Sequence, residues 1–192
     1  MMFSRNPIAV MVVAMSAGLC PALAATSLYP AKAYDATYEK RSPEMIGTTR
    51  IVSDGKGHVR IEQVDSKHHG VSIYDYGTGE VSMIGGNTPT IVKMPLQANK
   101  LYSASDEKML KACGAKKLGH RDIDGHQCNG YEFKTAGSIV HTWIDEEAGC
   151  PVLQLATTQR GKSELKLKSL TRGTPAPELF MVPQSQGKSS EF

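Results

Sequence analysis

Short alternating runs, each bounded by turn residues, constrain this chain more than any other feature. "AYDATYEK" sets Tyr34, Ala36 and Tyr38 against Asp35, Thr37 and Glu39. "GTTRIVSDGKGHVRIEQV" reads as two strands around Asp54-Gly55, and "GVSIYDYGTGEVSMIGG" as two more around Gly77-Thr78-Gly79. "SIVHTWIDEEAGCPVLQLATT" turns near Glu146 to Gly149, and "LQLATTQRGKSELKLKSL" closes the series. A period of two between Gly, Pro, Asn and Asp clusters is the pattern of a many-stranded antiparallel sheet, so the expected class is mainly β. In the last pair, a three-residue loop over Gln159 to Gly161 would set Leu155 opposite Leu165 and Leu153 opposite Leu167. That register keeps apolar residues together on one face, and it is the one expected.

One helix is expected, from Ser105 to Gly114. Ser105 is a good N-cap, Asp106 and Glu107 suit the first turn, and Gly114 suits the left-handed position past the end. Met109, Leu110 and Cys113 share one side of it at helical spacing. The preceding stretch, Asn87 to Tyr102, carries Pro89 and Pro95, which argue against a regular central strand.

The N-terminus sets the expected compartment. Arg5, the apolar run Pro7 to Leu19 and the small residues Ala22 and Ala24 form a secretory signal peptide cleaved after Ala24. Leu19 directly precedes Cys20, which is the wrong order for a lipid-modified cysteine. The expected organisation is a leader over 1–24, one domain over 25–184 and a polar tail over 185–192. The formal charge is +3, and without Arg5 it is 21 basic against 19 acidic residues, or +2. Lys and Arg are spread singly, and those of Lys162–Lys168 alternate with Leu165 and Leu167, so a nucleic-acid partner is not expected.

"LGHRDIDGHQCNGYEF", Leu118 to Phe133, concentrates the chemistry. Asp124-Gly125 is a type I′ hairpin signal. It pairs Ile123 with His126, Asp122 with Gln127, Arg121 with Cys128 and His120 with Asn129. His126 and Cys128 then share one face, and His120 and Asp122 the other, so the two histidines cannot hold one metal together. Pairing Phe133 with Ser138 on the next strand would bring Asp145 across from His126 and Trp143 across from Cys128. His126 and Asp145 are thus the candidate pair for a metal-dependent or hydrolytic enzyme, against the simpler reading of a decorated hairpin. His68-His69 falls in the polar turn "DSKHHG". No G-x-S-x-G or H-E-x-x-H motif occurs, and neither a metal nor a cofactor is expected.

Cys113, Cys128 and Cys150 follow the expected cleavage site. An oxidising compartment makes one disulfide and one free thiol the expectation. Cys113 ends the short helix and can fold over the hairpin that carries Cys128. Cys150 lies too far along the sheet, so Cys113–Cys128 is the expected bridge.

The order of these phrases, from "YDATYEK" through "IVSDGKGHVRIE", "VSIYDYGTGEVSMI", "LGHRDIDGHQCNGYEF" and "HTWIDEEAGCPVLQL" to "LKLKSL" and "PAPELFMVPQ", resembles the periplasmic lipoprotein-carrier superfamily, the LolA/LolB-like fold. The resemblance implies a strongly curved antiparallel half-barrel with a short helical lid over its concave face, an α+β arrangement dominated by sheet. It also implies an apolar cavity for acyl chains, lipoproteins or envelope signals. Arg60 stands where carriers use a strand arginine, but Val59 and Ile61 alternate inward around it, so Arg60 is expected to face out. Ile91 to Leu110 is the insert that can cross the sheet, and Met94, Leu96, Leu101, Met109 and Leu110 are the expected ligand-facing side chains. The preferred function is non-enzymatic binding of a lipid, an acyl chain or an acylated envelope partner in the periplasm, with membrane association at most transient. An envelope interaction or stress-sensing protein with a filled core is the alternative, and the His126–Asp145 enzyme the second.

Overall fold

The computed structural model describes residues 29–65, 69–85, 90–95, 110, 114–135 and 137–183. The expected leader and tail fall outside them. Eleven strands dominate: β1 (Ala33–Ser42), β2 (Met45–Asp54), β3 (His58–Asp65), β4 (His69–Asp75), β5 (Glu80–Gly85), β6 (Thr90–Pro95), β7 (Lys116–Ile123), β8 (His126–Thr135), β9 (Ser138–Asp145), β10 (Pro151–Thr158) and β11 (Gly161–Arg172). They form one antiparallel sheet in the order β6-β5-β4-β3-β2-β1-β11-β10-β9-β8-β7. Every neighbour except β1–β11 is a sequential hairpin, which is the topology that frequent short turns dictate. The sheet is an unclosed half-barrel with β6 and β7 as its edges. Pro95 ends an edge strand, where a missing ladder donor is tolerated.

The sheet is strongly curved. Asp124, in the β7–β8 turn, meets Lys166 of β11 at 3.0 Å although β9 and β10 lie between them. Three interstrand steps in a flat sheet would span about 14 Å. Alternation buries one side chain set on the inner face. Tyr34, Ala36 and Tyr38 have no solvent exposure, and their partners on β2 are Ser53, Ile51 and Thr49. Ile51 and Ser53 continue to Ile61 and Val59 of β3. Arg60 takes the opposite face, as alternation requires, and donates to Glu62 Oε1 and to Leu179 O at 3.1 Å. Leu179 belongs to a 3₁₀ turn, Pro177–Phe180, which begins with proline at a position that needs no donor. This turn covers β3 from outside, where Val52 and Ile73 flank Arg60 and are buried.

The Asp124-Gly125 hairpin has the expected register at the four expected rungs, Ile123–His126 to His120–Asn129, and a bulge shifts it between Lys117 and Gly119. Asp124 and Gly125 both have positive φ, at 53° and 84°, as a type I′ turn demands. Two other registers differ from expectation. On β8–β9, Thr135 pairs with Ser138 and Cys128 with Asp145, a shift of two residues from the expected Phe133–Ser138 pairing. Gly137, at φ 76°, lets the turn close over two residues instead of four. On β10–β11, Thr158 pairs with Gly161, so Leu155 faces Glu164 and Leu153 faces Lys166, not Leu165 and Leu167. The Thr158 hydroxyl accepts from Arg160 N–H at 3.1 Å and donates to Gly161 O at 3.1 Å, which fixes a two-residue turn. The apolar match is recovered elsewhere: Val152, beside a bulge, is buried with Leu167 in the main core.

Candidate functional site

Leaving β6 at one edge, the chain re-enters the sheet as β7 at the other. Leu110 is the described residue between these strands that is helical. It is 2% exposed and packs with Tyr131 and Ile144, flanked by Ala115 and Phe133. Gly114 has φ 70°, and Ala115 N–H donates to Leu110 O at 2.9 Å. This six-to-one bond with a left-handed glycine is a Schellman C-terminus, the ending expected at Gly114. The rest of the Ser105–Gly114 helix lies outside the described residues.

Register locates the floor under Leu110. Tyr131 of β8 pairs with Thr142 of β9, and Asn129 with Ile144. All four side chains therefore project to the side where Leu110 sits. Thr142 is fully buried and Asn129 is 8% exposed. Asn129 Oδ1 and Thr142 Oγ1 make no hydrogen bond among the described residues. Buried polar atoms are nearly always satisfied, so two neighbouring exceptions mark this floor.

Of the expected ligand-facing residues, Leu110 is on this site. Met94 is on edge strand β6, at the register position opposite Val81. Leu96, Leu101 and Met109 lie outside the described residues. The insert expected from Ile91 is strand β6 as far as Pro95. Asn129 and Thr142 were not expected. Their signal was available in the series Val140, Thr142, Ile144, where alternation puts a hydroxyl between two inward apolar residues.

The structure brings His126 and Asp145 together. His126 Nδ1 donates to Asp145 Oδ2 at 2.8 Å, made diagonally because Cys128, not His126, is the rung partner of Asp145. Arg172 Nη2 donates to the same oxygen at 3.0 Å. Asp145 Oδ1 accepts from Glu147 N–H at 3.0 Å and from Ala148 N–H. Burial pushes the Asp145 carboxyl up, but Ala148 N–H, His126 and Arg172 outweigh it and hold it below the usual carboxylate range. Oδ1 therefore fastens the β9–β10 loop, which Lys32 also grips through Glu146 O and Glu147 O at 2.9 and 2.6 Å, while Oδ2 holds His126 and Arg172. A half-open cavity of about 350 Å³ lies beside His126, between the hairpin tip and β11, lined by Asp124, Lys166, Lys168 and Leu170 among others. Among the described residues no three His, Cys, Asp or Glu side chains converge on a point that would hold a metal.

Cys128 and Cys150 are free and fully buried, and Cys113, the partner expected for Cys128, lies outside the described residues. The Cys128 thiol donates to His126 O at 3.2 Å. Cys128 pairs with Asp145, whose N–H donates to Cys150 O, so one strand separates the two cysteines. Two interstrand steps are about 9–10 Å, beyond the roughly 7 Å a bridge tolerates.

No protein-family model matches the sequence, and no curated protein is significantly similar to it. Solved structures are similar in fold. A structure of the Pseudomonas aeruginosa MucA/MucB complex matches with 16% identity and a TM-score of 0.50, over 79% of this chain and 56% of the matched one. MucB in complex with MucA(peri) matches with 15% identity and a TM-score of 0.50, over 79% and 54%. The LolA superfamily protein NE2245 from Nitrosomonas europaea matches with 7% identity and a TM-score of 0.41, over 80% and 92%. The chain is similar in fold to MucB. It spans a little over half the length of these first matches, 54% and 56%. The antiparallel sheet left open between β6 and β7 is the fold class expected from the sequence.

Proposed function

We propose that this chain is a non-enzymatic periplasmic binding module. It takes a lipid or an acyl chain, free or carried by an envelope partner, between the β8–β9 face that carries Tyr131 and Ile144 and the Leu110 segment. The burial of Leu110 against Tyr131 and Ile144 carries this reading. An apolar side chain on the crossing connection, seated on the sheet, is the arrangement that an acyl chain can replace at little cost in apolar burial. Met94, Leu96, Leu101 and Met109 are the further residues proposed to contact the ligand. No cofactor takes part. His126 and Asp145 carry no chemistry here, because the carboxylate is taken up by the two loop N–H groups, His126 and Arg172.

Native mass spectrometry of the protein purified from its own periplasm tests this. The expected result is a bound lipid mass that disappears in a folded Leu110→Asp variant. Folded wild-type protein with no lipid mass would refute the reading. One observation favours a second reading, an envelope interaction protein without a small ligand. MucB, similar in fold, is solved in complex with MucA(peri). A protein partner retained by both wild type and Leu110→Asp, with no lipid on either, would favour that reading.

A further inference from the structure

Asn129 and Thr142 carry one inference further, which rests on the binding reading above. We propose that they form a recognition site for the amide linkage of an N-acylated ligand, and that they discriminate amides from esters.

The two side chains are diagonal neighbours on β8 and β9, since Asn129 pairs with Ile144 and Tyr131 with Thr142. The amide oxygen of Asn129 can only accept, and the Thr142 hydroxyl can donate. Both atoms are buried and unpartnered among the described residues. A trans amide carries its N–H and its carbonyl back to back. With ordinary hydrogen-bond lengths its two partners stand about 7–8 Å apart. Diagonal neighbours on adjacent strands stand about 7–8 Å apart at Cα and somewhat less at Cβ, so their side chains can reach a group held between them. The ligand N–H therefore meets Asn129 Oδ1, and its carbonyl accepts from Thr142 Oγ1. The acyl chain continues over Tyr131, Phe133 and Ile144, where Leu110 packs. An ester keeps the carbonyl but replaces the N–H with an oxygen. That oxygen would face the buried Asn129 Oδ1, an acceptor against an acceptor. A buried polar group left without its partner is what makes such a site selective.

The probes are N-dodecanoylglycine and O-dodecanoylglycolic acid, which differ only by N–H against O. Calorimetric titration of the full processed chain reads both. Wild type is expected to bind the amide at least tenfold tighter, about 1.4 kcal/mol. Asn129→Leu brings the ratio to near one. Thr142→Val weakens both probes alike and leaves the ratio intact, because the carbonyl is common to both, while Thr142→Ser keeps wild-type affinity. The threonine pair also serves if Asn129→Leu does not fold. Equal affinity of wild type for the two probes overturns the amide site and leaves the binding module standing. Indifference of both probes to Thr142→Val in folded protein overturns it too, and assigns the polar pair to a buried water. No binding of either probe overturns the site together with the acyl-binding reading.

Discussion

Replacing Asp145 with alanine is expected to destabilise the chain by about 3–5 kcal/mol, the usual cost of removing one partner from a buried charged network. The structure shows where the cost arises. Asp145 is 2% exposed and accepts from Glu147 N–H, Ala148 N–H, His126 and Arg172. Glu147 is exposed, so its N–H finds water when the carboxylate is gone. The Arg172 side chain is 41% exposed and already reaches Glu147 Oε2 at 3.2 Å, so it also loses little. Ala148 is 3% exposed, and its N–H would be left with nothing, at about 1–3 kcal/mol. His126 loses its orienting acceptor, and the β9–β10 loop loses its anchor.

Urea unfolding followed by the fluorescence of Trp143, the single tryptophan, measures the difference. Asp145→Asn is expected to lie between wild type and Asp145→Ala, since its oxygen can still accept from the two loop N–H groups. The carboxyl sits below its ordinary value in the folded chain. Its contribution is therefore complete above the unfolded carboxylate pKa of about 4 and is lost as pH falls through the folded value. The gap between wild type and Asp145→Ala should hold from pH 7 to pH 5 and narrow below pH 4. A loss under 1 kcal/mol at pH 7, with an unchanged unfolding slope, would refute the network argument. Arg172→Ala, removing the exposed member, should cost no more than about 1 kcal/mol.

Two further outcomes follow from backbone geometry and burial. Gly161 has φ 121°, and a Cβ there would come within 2.8 Å of Pro43 Cγ, so Gly161→Ala should cost about 1–3 kcal/mol; Gly70, with open space around it, should accept alanine within about 0.5 kcal/mol, and equal costs at the two positions would contradict the β10–β11 turn. Burial pushes the Cys128 thiol up to about 11 and the Cys150 thiol up to about 12; at pH 8 both should resist iodoacetamide in folded protein and react in urea, read peptide by peptide, and a Cys113–Cys128 cross-linked peptide would overturn the free-thiol arrangement.

Local chemistry decided how much of this was legible. The Asp124-Gly125 dipeptide dictates positive φ at both central positions, so one turn type and one register follow, and the four rungs next to the turn were readable. The β8–β9 register was missed by two residues because the left-handed conformation of Gly137 is a choice that the sequence permits without compelling. An even shift preserves faces, which is why His126 and Asp145 still meet. The β10–β11 register was missed by one. There the side chain of Thr158 closes the turn and overrides the pairing of leucines, and an odd shift changes which residues face each other. Apolar matching fixes a register only where no turn residue has a stronger preference, and a bulge at Val152 can restore burial afterwards.

The site divides the same way. Leu110 was readable because helical spacing and a terminal glycine are local signals. Asn129 and Thr142 are distinguished by lacking partners, and that is a property of everything around them. The hydroxyl of Thr142 could have been satisfied by a neighbouring strand, as that of Thr158 is by Gly161 O. Only the assembled sheet leaves it facing an apolar contact between Leu110, Tyr131 and Ile144. An unpaired buried acceptor and hydroxyl cost folding free energy that a Val or Leu at each position would not. Two such residues on adjacent strands, beside Leu110, put that cost where a ligand could offset it.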